Sequence, residues 1–126
     1  MTTRIALLIC AFLCGCAMEV VRHPSTLAPV SAPARFVLVE RAEFRLDSGY
    51  TRTIAAGTQL VDFGTIAEGR VLRPVSTSLT VEGRHMHEAY PVERSGRLVG
   101  FYLPVEKAFS PLSSPIALSL QGDPTR

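Results

Sequence analysis

From Phe36 onward the chain alternates short apolar stretches rich in Val, Leu, Ile and Phe with turn residues, and no stretch holds helical spacing for more than two turns. That is the pattern of strands, whose side chains point to opposite faces with a period of two. Phe36-Val37-Leu38-Val39-Glu40 reads as a strand. Glu43-Phe44-Arg45-Leu46-Asp47 alternates charged and apolar positions as a half-buried strand does, and Ser48-Gly49 punctuates it. Further strands fall at Thr51 to Ile54, Gln59 to Phe63, Arg70 to Val75 and Ser76 to Glu82, the last with Leu79 and Val81 inward.

The clearest unit lies further on. Met86 to Glu93 and Leu98 to Leu103 flank Arg94-Ser95-Gly96-Arg97, which predicts a hairpin with Ser95 and Gly96 at its tip. An unbroken register then pairs Tyr90 with Phe101 and Val92 with Val99, unless a bulge shifts it by one. Pro91 donates no backbone hydrogen bond, which places its strand at an edge or a bulge. Pro104 to Ser110 reads as one or two helical turns, with Val105, Ala108, Phe109 and Leu112 on one side as a plug and Pro111 and Pro115 ending it. Ile116 to Leu120 is a last strand. The expected fold is all-β: a small antiparallel barrel or sandwich, resembling an SH3-like barrel, with one short helical plug.

The beginning of the chain differs. Met1 to Arg4 carry positive charge, and Ile5 to Leu13 form an apolar run too short to span a bilayer, which takes about 20 apolar residues. From Ala17 to Arg35 the chain has three prolines, small residues and no sustained periodicity. That composition is a linker's; its nineteen residues reach on the order of 60 Å if extended at about 3.1 Å each. His23, inside it, reads as a solvated loop histidine. The domains expected are therefore a targeting segment at 1–15, a tether at 16–35, a β domain at 36–120 and a tail at 121–126.

The apolar run ends in Leu13-Cys14-Gly15-Cys16, which resembles the lipobox of bacterial lipoproteins: a branched aliphatic residue, a small residue directly before the cysteine, and the cysteine itself. Cys16 is the position that fits, since Cys14 and Cys10 follow the large residues Leu13 and Ile9. The resemblance implies cleavage after Gly15, diacylglycerol on the Cys16 sulfur and a further acyl chain on the new amino terminus. Two or three chains make a stable anchor, at about 0.8 kcal/mol per buried methylene. Ala17 stands where retained Gram-negative lipoproteins commonly carry aspartate, so the resemblance is to the class sorted to the outer membrane.

Charge and cysteine usage narrow the rest. One of the 13 basic side chains, Arg4, lies in the targeting segment, so twelve face 11 acidic ones and leave no basic footprint for nucleic acid. All three cysteines lie within the first sixteen residues, so the β domain has none to form a disulfide and must be held by packing.

His85-Met86-His87-Glu88 puts two imidazoles at alternate strand positions, hence on one face. Two ligands fall short of the three or four that a zinc site takes, so neither a metal nor another cofactor is assigned. Tyr102, on the face opposite Phe101, suggests an aromatic rim with Tyr90 and Phe109 for contact with a partner. Taken with the lipobox, these features lead us to expect a non-enzymatic, outer-membrane-anchored lipoprotein facing the periplasm. Its β domain would bind or scaffold an envelope protein or a peptidoglycan-related partner. The alternative is an inhibitor or immunity lipoprotein acting on a cell-wall hydrolase.

Overall fold

The computed structural model of the chain describes residues 18–122. The Leu13-Cys14-Gly15-Cys16 motif, with the targeting segment expected at 1–15, lies outside them. In chain order the strands are β1 (His23–Pro24), β2 (Ala28–Pro29), β3 (Arg35–Leu38), β4 (Ala42–Arg45), β5 (Thr51–Ile54), β6 (Gln59–Ile66), β7 (Gly69–Pro74), β8 (Thr80–Glu82), β9 (Met86–Glu88), β10 (Tyr90–Arg94), β11 (Arg97–Leu103), β12 (Ala108–Ala117) and β13 (Leu120–Gly122). Every pairing is antiparallel. The main sheet runs β1-β12-β11-β10-β7-β6-β3-β13 with β2 added to β6, while β4-β5 and β8-β9 form separate ribbons. The sheet ends at β1 on one side and β13 on the other, so it does not close into a barrel.

Both faces of the main sheet are covered. Leu60, Leu72, Leu98, Phe101 and Leu103 join one core, into which the ribbons bring Ala42, Phe44, Ile54 and Val81; the Phe44 and Phe101 rings lie 5.0 Å apart. The intervening positions Val71, Val92 and Tyr102 face the other way and pack with Ile66 and Phe109 in a second core. Neighbours such as Leu72 and Val71, or Phe101 and Tyr102, thus serve opposite layers, as the strand period requires. In β4 the alternation is plain: Ala42 and Phe44 are buried while Glu43 and Arg45 are exposed.

The β10–β11 hairpin turns at Ser95-Gly96, both with positive φ (52° and 76°), as a two-residue primed turn demands. Its register departs from the unbroken one. Arg94 faces Arg97 and Glu93 faces Leu98, but Val92 faces Gly100 and Tyr90 faces Tyr102, leaving Val99 as an extra residue. Phe63 is the corresponding extra residue between β6 and β7. Each bulge turns its extra side chain toward the second core, where Phe63 and Val99 both pack. Pro91 lies beside Val92, the residue at which the ladder to β7 ends, so its missing N–H interrupts no pairing there.

Two expectations are corrected. No helical plug forms: residues 104–107 make a turn, Lys107 takes φ 52°, and strand β12 follows through Pro111 and Pro115 with an irregularity opposite Val99. A positive φ at Lys107 is incompatible with continuing a helix, and Ala108, Phe109 and Ser110 are all buried. Nor does residue 20 onward hang free as a tether. Val20 is in the first core, β1 pairs with β12, and β2 pairs with β6, so residues 18–29 lie across the domain as a strap.

Candidate functional site

The strap meets the domain at a cluster of ionisable groups. β9 points His87 inward (6% exposed) while Met86 and Glu88 point out. His87 Nδ1 lies 2.7 Å from Glu106 Oε1, in the turn before β12. On the other side of the ring, His87 Nε2 lies 3.4 Å from Arg22 Nη1 and 3.5 Å from Glu19 Oε1, both on the strap. His85 Nε2 approaches Glu19 Oε2 at 3.9 Å, so the two histidines do converge, on a shared carboxylate.

The carboxylates respond to these surroundings. Burial pushes the Glu106 pKa up, but the His87 hydrogen bond, the Glu106 backbone N–H and the nearby positive groups outweigh it and hold the carboxyl below its ordinary value. Glu19 is also lowered, first by the hydrogen bond from the Val20 N–H at 3.1 Å and then, against some desolvation, by His87, His85 and Arg22. Glu106 Oε2 is buried without a hydrogen-bond partner among the described residues, so the bond through Oε1 is its anchoring contact.

The cluster is arranged for holding. Among the described residues no group of three or more His, Asp or Glu side chains is placed to hold a metal ion. The Arg22 guanidinium stands against His87 Nε2, where a cation would have to approach. What the geometry does is staple strap, β9 and the 104–107 turn together. His23 adds a second staple: Nε2 is 3.0 Å from Glu68 Oε1 and the ring sits edge-on to Phe109 at 5.4 Å. The histidine read as a solvated loop residue therefore holds the strap in place. Ser25 N donates to the Lys107 carbonyl at 3.1 Å.

Tyr90, Tyr102 and Phe109, expected to form an aromatic rim, do come together in the second core. The rim is corrected in one respect: Tyr102 and Phe109 are each only 4% exposed, beneath the strap, and present no surface. Tyr90 is half-buried, edge-on to Phe63 at 5.1 Å. Burial and then the Glu88 carboxylate push its pKa up, which keeps the phenol protonated as donor to Glu88 Oε1 at 3.3 Å.

Glu19 and Arg22 were not legible as site residues, and nothing in the sequence tied Glu106 to His87. Glu19 is 68 positions from His87 and Glu106 is 19 away, and no local pattern links positions across a sheet. Comparison with protein-family models, with curated proteins and with solved structures returns no match.

Proposed function

We propose that the mature chain is a non-enzymatic lipoprotein, anchored in the outer membrane through acyl chains on Cys16 and facing the periplasm, whose β domain binds or scaffolds another component of the envelope. The observation that carries this reading is Leu13-Cys14-Gly15-Cys16 at the end of a short apolar run with a positively charged start. Two features of the domain support it. Buried His87 links the body to the exposed Arg22 and Glu19 of the strap, a mechanical use of these ionisable groups. Val20, four residues after Cys16, packs in the first core, so an acylated Cys16 would be kept close to the domain by chain length alone.

Mass spectrometry of the protein extracted from membranes, beside a Cys16→Ser variant, tests the anchor. The expected result is loss of residues 1–15 with acyl mass on Cys16, both abolished in the variant. An unmodified full-length chain in the soluble fraction overturns the reading.

A further inference from the structure

Met18 is the first described residue, and Cys16 precedes it by two positions, so an extended chain places the two Cα atoms no more than about 7 Å apart. Met18 is itself fixed. Its carbonyl accepts from the Arg84 N–H at 3.1 Å, and Val20 is sealed in the core just beyond. Whatever holds Cys16 therefore holds the surface around Met18 at the same place. Two turns make up that surface. One is the β8–β9 tip, with Gly83, Arg84, His85 and Met86; the other is the β4–β5 tip, with Ser48, Gly49 and Tyr50. Ser48 Oγ donates to the Glu82 carbonyl and Arg52 pairs with the Glu82 carboxylate, which ties the two tips together. Between them runs a groove of about 380 Å³ lined by Met18, Ser48, Gly49, Tyr50 and Gly83.

The side chains displayed there suit one kind of neighbour. Met18, Tyr50 and Met86 are three of the six large apolar residues that the described chain leaves exposed, Met86 at 71%. Tyr50 carries an apolar ring with a polar tip, the chemistry favoured at the level of lipid headgroups, and Arg52 lies over its ring at 5.3 Å. Arg84 is exposed and has no carboxylate partner among the described residues. A free guanidinium beside apolar side chains is matched by a phosphodiester above an acyl boundary.

We propose that this face, formed by the β4–β5 and β8–β9 tips around Met18, rests on the phospholipid surface in which Cys16 is anchored. Met18, Tyr50 and Met86 enter the interfacial layer and Arg84 pairs with a lipid phosphate. The domain then lies against the bilayer in a fixed orientation, with the β3–β4 connection, where Val39 is exposed, turned toward the periplasm. This inference rests on the anchor proposed above.

The chain contains no tryptophan, so single reporters are clean. Met86→Trp and Val39→Trp, both at exposed positions, are prepared as the full acylated protein. Each is reconstituted in phosphatidylethanolamine–phosphatidylglycerol vesicles whose acyl chains carry bromine, which quenches on contact. The expected result is quenching at least about twofold stronger at position 86 than at position 39, as for a side chain in the headgroup–acyl boundary. Adding Arg84→Glu to the position-86 reporter should weaken it. Equal quenching at both positions in protein shown by mass to be acylated overturns the orientation and leaves the anchor standing. Protein lacking acyl mass and floating free of vesicles overturns the anchor, and the orientation with it. Unchanged quenching with Arg84→Glu removes the phosphate contact from the proposal.

Discussion

His87 and Glu106 share a hydrogen bond of 2.7 Å between Nδ1 and Oε1, and it joins a two-stranded ribbon to the turn that opens β12. The opposite edge of the same imidazole faces Arg22 and Glu19 on the strap. One buried ring thus serves as the meeting point of three segments that are distant in sequence. Its removal affects all three at once, which makes it the most informative single position in the domain.

Truncating His87 to alanine leaves Glu106, 23% exposed, without the donor to Oε1 while Oε2 already lacks one. A buried acceptor stripped of its partner costs about 1–3 kcal/mol, and the partial exposure of Glu106 favours the lower half of that range. Urea denaturation of His87→Ala is expected to show this loss. Glu106→Gln, which keeps a carbonyl acceptor for Nδ1, should lose less. If the two variants lose equal stability, the hydrogen bond is not what holds the turn.

Acid should loosen the same junction. Glu106 and Glu19 are both held below the ordinary glutamate value of about 4.3 in the folded protein. A carboxylate lowered on folding contributes stability that is fully present above its unfolded value and is lost as pH falls through the folded one. Thermal melts at stepwise lower pH should therefore show the melting temperature falling below about pH 4.3. In Glu106→Gln the fall should be shallower, because one of the two groups no longer titrates. Parallel curves for wild type and variant would assign the acid sensitivity to other carboxylates.

The burial of Phe109 leads to a stability prediction where a docking residue would lead to a binding one. Phe109→Ala empties part of the second core and removes the ring against which His23 sits. Phenylalanine truncation in a core costs about 3–5 kcal/mol. Tyr90→Ala, at a half-buried position, should cost roughly 1–2 kcal/mol, mainly the ring's contact with Phe63. A Phe109→Ala protein with wild-type stability would mean that the strap does not cover this face in solution.

What could be read from the chain and what could not divides along physical lines. Phe44, between Glu43 and Arg45, declares its strand because one face is buried and the other wet, and Ser95-Gly96 declares its turn because two consecutive positive φ angles favour small residues. The bulge at Val99 was open in the sequence, since a single extra residue leaves the alternation on either side intact. Val105, Ala108, Phe109 and Leu112 have helical spacing only by coincidence. Ala108, Phe109 and Ser110 are buried in succession because β12 is covered on both faces. The strap was illegible for a different reason: β1 and β2 are two residues each, too short for a period, and their partners lie on β12 and β6. His85 and His87 stood out as a pair, but the carboxylates that employ them belong to other segments.

Gly83 offers the sharpest test of the strap. A Cβ built there would sit 2.7 Å from the Met18 carbonyl oxygen and 2.9 Å from the Val20 backbone nitrogen, with Val20 Cγ2 at 2.8 Å. Two of these are backbone atoms, which cannot rotate away, so Gly83→Ala must move either the β8–β9 tip or the strap. The tip is tied to Ser48 and Arg52, whereas at Met18 the strap has, among the described residues, a single backbone hydrogen bond, from the Arg84 amide, so the strap is the part expected to yield. Forcing extra atoms into a packed site costs about 1–3 kcal/mol. The local consequence should be larger than the global one: faster hydrogen exchange at the Arg84 amide and faster proteolysis between residues 18 and 29, with the amides of β10 and β11 unchanged. Gly64→Ala, whose Cβ would meet the Ala28 carbonyl oxygen at 2.5 Å, should release the strap at its other end. If neither variant exposes residues 18–29 to protease, the close approach of the strap to the sheet is not a feature of the protein in solution.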